Sequence, residues 1–135
     1  MKKLSFDTGV ETYDLNGKVS VSFNPTDSGF VEKLMDAFDA LKSKQEDYSA
    51  RLEKMDGMEA FQFTKELDAE MRQMLDGIFG CPVCEPLFGS VNVYAMAGGF
   101  PLWMNLLDVI MDEVVHAMEK EKKALNPRMA KYLKK

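Results

Sequence analysis

The stretch Asn24-Pro25-Thr26-Asp27-Ser28-Gly29-Phe30-Val31-Glu32-Lys33-Leu34 decides the fold, because two kinds of secondary structure meet inside it. Pro25 has no N–H to give to a β ladder, so a strand stops there. Thr26, Asp27 and Ser28 all carry a short side-chain oxygen that can accept from the first free amides of a helix, so a helix starts there. Upstream, residues 4–23 place β-branched and aromatic residues on either side of the turn signal Asn16-Gly17, the pattern of a β-hairpin. A two-residue loop would pair Leu15 with Lys18 and set Tyr13 and Leu15 on the face opposite Val19, Val21 and Phe23. A three-residue loop, Asn16-Gly17-Lys18, pairs Leu15 with Val19 and Tyr13 with Val21, and gathers all five on one face. Burial favours the second register, although it asks Lys18 rather than a glycine to take the left-handed conformation. A lone hairpin is marginal in water, so it has to pack on helices or join another chain's sheet.

Downstream, helix one is expected to run to about Met55. Its apolar positions Phe30, Leu34, Phe38, Leu41, Tyr48, Leu52 and Met55 step by three or four, with Gln45 the single polar residue in the stripe. Such a helix is about 42 Å long, so part of it must project or pair with another helix. Asp56-Gly57 breaks it, and a second helix, Met58 to Phe79, carries the stripe Ala60, Phe63, Leu67, Met71, Met74 and Ile78. So short a connection makes the two antiparallel.

After Gly80 the texture changes. Cys81 to Gly89 reads as a short helical piece started at Pro82 and closed by Gly89, and Val91 to Ala97 as a further short element. Gly98-Gly99 is a flexible joint. Pro101 opens a strongly apolar core helix to about Lys123, with Leu102, Trp103, Leu106, Leu107, Ile110, Val114, Ala117 and Met118 on its stripe. Asn126-Pro127 starts one more short turn. The expectation is one α+β, predominantly helical domain over 1–135: β-hairpin 4–23, helical hairpin 27–79, short helices plus core helix 82–123, and a basic C-terminal tail 124–135.

The 135 residues carry a net charge of −5 that conceals a gradient. Residues 119–135 hold seven basic and two acidic residues, and the other 118 hold ten basic and twenty acidic. An acidic body repels a phosphate backbone, and the basic tail offers only Tyr132 for stacking, so no nucleic-acid partner is expected. No apolar run reaches the roughly 18 residues of a membrane span. Met1-Lys2-Lys3 leads into Leu4-Ser5-Phe6-Asp7-Thr8 rather than an apolar signal, so a cytoplasmic setting with reduced thiols is expected.

Motifs for chemistry are few. Cys81-x-x-Cys84 has the spacing of a redox disulfide or half a zinc site. A zinc site lacks a second ligand pair, and a thioredoxin-like site lacks alternating βαβ units, so structural thiols are favoured. Glu113-x-x-His116 has the spacing of a di-iron bundle ligand pair, but one copy without further inward carboxylates is read as a helix-edge pair. Phosphate loops, dinucleotide loops and nucleophile elbows are absent. No catalytic residue, metal site or cofactor is therefore expected. The stronger lead is the 11 methionines, where about three are ordinary for this length. Met104, Met111 and Met118 are read as core. Met35, Met55, Met58, Met71 and Met74 on the helical hairpin are the candidates for contact with a partner helix, because flexible, polarizable side chains fit irregular apolar surfaces.

Two Phe-Gly pairs stand nine residues apart, Phe79-Gly80 and Phe88-Gly89. Each glycine ends a helical piece while its phenylalanine turns back into the core. This segment, the following Asn92-Val93-Tyr94 and the opening Phe23-Asn24-Pro25-Thr26-Asp27 resemble the tail assembly chaperones of siphophages and prophages of Gram-positive gut bacteria. The resemblance covers most of the chain. It implies a small helical protein of the bacterial host cytoplasm, free of catalytic residues, that binds the hydrophobic helical tape-measure protein and keeps it soluble while the tail tube polymerises. It also implies self-association, as a homo-oligomer. Two alternatives stand beside it: a structural tail-completion or connector component whose hairpin joins a ring sheet, and a thiol-dependent redox or sensor protein at Cys81 and Cys84.

Overall fold

Asp27 wins the competition for the start of the first long helix. Its carboxylate accepts from the Gly29 amide at 3.0 Å, while Asn24 organises the approach by accepting from the Thr26 amide and hydroxyl, both at 2.8 Å. The computed structural model describes residues 1–133. In chain order the elements are β1 (Glu11–Leu15), β2 (Val19–Phe23), α1 (Ser28–Leu52), α2 (Gly57–Phe79), α3 (Cys84–Phe88), β3 (Met96–Ala97), β4 (Phe100–Pro101) and α4 (Leu102–Leu133). The fold is α+β, with an N-terminal antiparallel hairpin followed by long helices.

The hairpin adopts the three-residue-loop register, Leu15 opposite Val19 and Tyr13 opposite Val21. Burial decides it: Tyr13, Leu15, Val19, Val21 and Phe23 face the helices, and Thr12, Asp14, Ser20 and Ser22 face solvent. Two details differ from the sequence reading. The strands begin at Glu11, so residues 4–10 are not strand. Left-handed backbone falls on Asn16 (φ 55°) and Gly17 (φ 67°), not on Lys18, because those two residue types carry the smallest penalty there.

The α1 and α2 helices form the antiparallel pair. Tyr48 meets Phe63 and Thr64, Lys44 pairs with Glu70, and Phe30 meets Phe79, so contacts step down one helix as they climb the other. Asp56 caps α2 by accepting from the Glu59 amide at 2.9 Å. Helix one ends at Leu52 rather than Met55, which sits half-buried in the connection. At the other end of α2, Gly80 takes φ 70° and its N–H donates to Asp76 C=O at 3.0 Å, the left-handed closure that the Phe79-Gly80 pair announced.

Trp103, Leu106, Leu107, Ile110 and Val114 of α4 complete the core. Trp103 is 0% exposed, edge-on to Phe38 at 5.9 Å, and its Nε1–H donates to Gln45 Oε1 at 3.0 Å. The one polar residue of the α1 stripe thus satisfies the one indole in the chain. Because Trp103 lies against α1 midway and Glu113 lies near Tyr13 of the hairpin, α4 runs antiparallel to α1. Phe23, stacked on Phe30 at 4.2 Å and on Tyr13 at 4.7 Å, ties the hairpin over one end of this helical layer.

The C-terminal third departs from expectation in three places. The 82–89 helical piece begins at Cys84 instead of Pro82, because Asp76 Oδ1 draws the Val83 and Cys84 amides to itself at 2.8 and 3.0 Å. Gly98-Gly99 is not a free joint but the turn between β3 and β4, and Pro101 belongs to β4. The core helix does not stop near Lys123: α4 continues through Pro127 to Leu133, about 48 Å of helix, so residues 124–133 of the basic tail are helical. From Val115 to Leu125 none of its side chains is buried, so α4 is the element that projects. Residues 134 and 135 lie outside the described residues.

Candidate functional site

Alternating charge along one flank of α2 holds the 81–94 segment in place. Asp68, Arg72 and Asp76 recur at i,i+4 spacing and so share one face. Asp68 Oδ1 accepts from the Val93 amide at 2.8 Å and Oδ2 from Arg72 Nε at 3.0 Å; Arg72 Nη2 donates to Val91 C=O at 2.6 Å. These side chains replace the ladder the segment lacks.

The thiols belong to this structural unit. Cys84 is buried and its Sγ–H points at Arg72 C=O, 3.8 Å away. Burial first, and then the neighbouring Asp76 carboxylate, push its pKa up to about 12, so at neutral pH the thiol stays protonated and is a poor nucleophile. Cys81 is half-buried and free. Among the described residues no group of three or more His, Cys, Asp or Glu side chains is arranged to hold a metal ion. Glu113 and His116 sit at the rim of a groove between β1 and α4, with His116 exposed.

The five methionine candidates do not form one surface. Met71 is 0% exposed and belongs to the core, and Met74 is half-buried against it. Met35 lies about 25 Å along α1 from the connection that holds Met55. Met55 and Met58 do lie together at the tip of the helical hairpin, where Met58 is 81% exposed. Met118, read as core, is 43% exposed on the projecting part of α4, whereas Met104 and Met111 pack against the core as expected.

The structure adds a residue the stripe pattern passed over. Phe61, one turn after Met58, is 65% exposed with Lys65 above its ring at 5.8 Å. It falls outside the α2 stripe, and that is the signal that could have found it: an aromatic residue out of phase with a helix's buried face has to point to solvent. Met58 and Phe61, flanked by Met55, make a small apolar patch at the α1–α2 tip. Of the two Phe-Gly pairs, Phe79 and Phe88 are half-buried on the core, and Gly80 and Gly89 both have positive φ, 70° and 55°.

A second exposed apolar element precedes β1. Leu4 and Phe6 are 90% and 84% exposed, and Val10 is also exposed. Two grooves flank the base of this arm. One, about 520 Å³, lies between β1 and α4 and is lined chiefly by polar groups; the other, about 580 Å³, is lined by Val10, Phe23, Phe30, Ile78 and Phe79 among others.

Comparison with protein-family models, curated proteins and solved structures gives no match. No helix among the described residues is long and apolar enough to cross a membrane.

Proposed function

We propose that this chain is a non-enzymatic binding protein, specifically a phage tail assembly chaperone that holds apolar helical segments of a tape-measure protein in the bacterial host cytoplasm. The observation that carries the reading is the exposed pair Met58 and Phe61 at the tip of the helical hairpin: flexible and aromatic apolar side chains, displayed on a helix rigidly packed below. A partner helix would lie across this tip with its apolar stripe on Met55, Met58 and Phe61. Acidic character over most of the chain favours solubility of the loaded complex. The protonated, buried Cys84 weighs against thiol chemistry as the function.

Co-expression with the tape-measure product of the same genome, followed by pull-down, is the test. The expected result is a stoichiometric complex and a gain in tape-measure solubility. M58E/F61E is expected to abolish the complex and leave the thermal midpoint unchanged, since both positions are exposed. No complex, or a complex indifferent to M58E/F61E, overturns the reading. Open strand edges on the N-terminal hairpin favour a second reading, a tail-completion or connector component, for which the protein would be recovered in purified virions.

A further inference from the structure

Residues 3–8 carry a strand pattern that their own chain leaves unused. Leu4, Phe6 and Thr8 alternate with Lys3, Ser5 and Asp7, the spacing that sets apolar groups on one side of an extended chain. Among the described residues, no backbone–backbone hydrogen bond involves residues 1–7. The arm is fastened only at its base, where Asn24 Nδ2 donates to Thr8 C=O at 2.9 Å and the Gly9 amide to Asp7 Oδ1 at 2.8 Å. Exposed Leu4 and Phe6 side chains beside free main-chain donors and acceptors are what a sheet edge recruits.

Such an edge stands next to the arm. β1 pairs with β2 on one side only, so its other edge is free, and Glu11 and Tyr13 of β1 line the groove toward α4. Five arm residues, Lys3 to Asp7, span about 17 Å, the length of five-residue β1. The charges are complementary: Glu11, Glu113 and Glu121 line the groove against Lys120 alone, and the arm's tip carries Lys2 and Lys3. The bond from Asn24 to Thr8 opposes a reversal of the arm onto its own β1. Asp7, Thr8 and Gly9 also line this groove, so the arm leaves from its rim. A two-fold axis beside that rim places each arm in the other copy's groove with one rotation.

We propose that the chain dimerises by reciprocal arm exchange. Residues 3–7 of each copy add as a third strand to the free β1 edge of the other, with Leu4 and Phe6 on the Tyr13 side of the sheet and Lys2, on that same side, toward Glu113 and Glu121. Ladder hydrogen bonds supply the adhesion, and the alternate side chains fix the register. The dimer is independent of the helical-hairpin tip and of any partner held there.

Sedimentation equilibrium of the full chain at about 0.1 mM is expected to give twice the 15.3 kDa chain mass. Carbodiimide cross-linking of an equal mixture of light and heavy-isotope chains is expected to yield mixed-isotope peptides joining Lys2 or Lys3 to Glu113 or Glu121. L4D/F6D, at positions outside the core, is expected to weaken the dimer by about a hundredfold or more while retaining the circular dichroism of the fold. K2E/K3E is expected to weaken it by about tenfold, and E113K/E121K to restore it. A monomer, a dimer indifferent to L4D/F6D, or cross-links confined to same-isotope pairs overturns the proposal.

Discussion

Replacing Gln45 with methionine tests how the α1 and α4 helices are locked. Trp103 is fully buried, and the Gln45 Oε1 atom 3.0 Å away is the acceptor for its indole N–H. Without that acceptor the donor stays buried and unpaired, at a cost of about 1–3 kcal/mol. Methionine matches glutamine in length and suits the apolar stripe, so it recovers about 0.5 kcal/mol through added apolar burial. The net loss is about 0.5–2.5 kcal/mol. For a chain of this size that corresponds to a fall in thermal midpoint of about 2–9 °C. Urea unfolding followed by fluorescence reads the change at the site itself, because Trp103 is the only tryptophan. A second background isolates the cause: after Trp103→Phe no donor remains, so adding Gln45→Met should be neutral or stabilising, followed by circular dichroism. If Gln45→Met costs the same in both backgrounds, or nothing in the first, the hydrogen bond is not what locks the helices.

Three further outcomes are expected. The Tyr94 hydroxyl is buried without a hydrogen-bond partner while its ring stacks on Tyr48 at 4.5 Å, so Tyr94→Phe should be neutral or stabilise by about 1 kcal/mol in urea melts; a clear loss would mean the hydroxyl is satisfied. Asp76→Ala removes the acceptor of the Val83 and Cys84 amides and should cost about 2–4 kcal/mol, with hydrogen exchange accelerated at those two amides; unchanged exchange there would contradict the assignment. The Cys84 thiol rises from 9.0 to about 12 on folding, so above about pH 9 the unfolded chain releases its proton first. The Cys84 contribution is full below pH 9.0 and is lost as pH rises toward about 12; the urea midpoint should fall over this range, and Cys84→Ala should reduce the dependence, leaving the share of Tyr94, whose hydroxyl is pushed by burial from 10.0 up to about 12.

Legibility in the sequence followed phase. Where apolar residues recur in step, as at Phe30, Leu34 and Leu41 or at Leu106, Ile110 and Val114, burial in the structure matches the stripe. The hairpin register was readable for the same reason, since only one pairing collects five apolar side chains on one face. What escaped were the residues that break phase. Gln45 looked like an interruption and is the acceptor for Trp103; Phe61, outside the α2 stripe, is exposed at the hairpin tip. Met71 and Met118 show the limit of residue type as a guide, because a methionine fills a core gap or faces water according to which side of its helix it occupies. The 81–94 segment was opaque for a different reason. Its conformation is set by Asp68, Arg72 and Asp76 on α2, reached across 7 to 25 residues of sequence, and no local pattern records that dependence.

The lock between Gln45 and Trp103 also sets an order of events at the ribosome. Phe23 and Phe30 emerge some 80 residues before Trp103, which at synthesis rates of about 5–20 residues per second is an interval of about 4–16 s. Through that interval Leu34, Phe38 and Leu41 face a place that α4 has yet to fill. The nascent chain therefore displays an apolar α1 face to whatever is nearby. Until the final third arrives, α2 folding back on α1 is the cover the chain itself supplies.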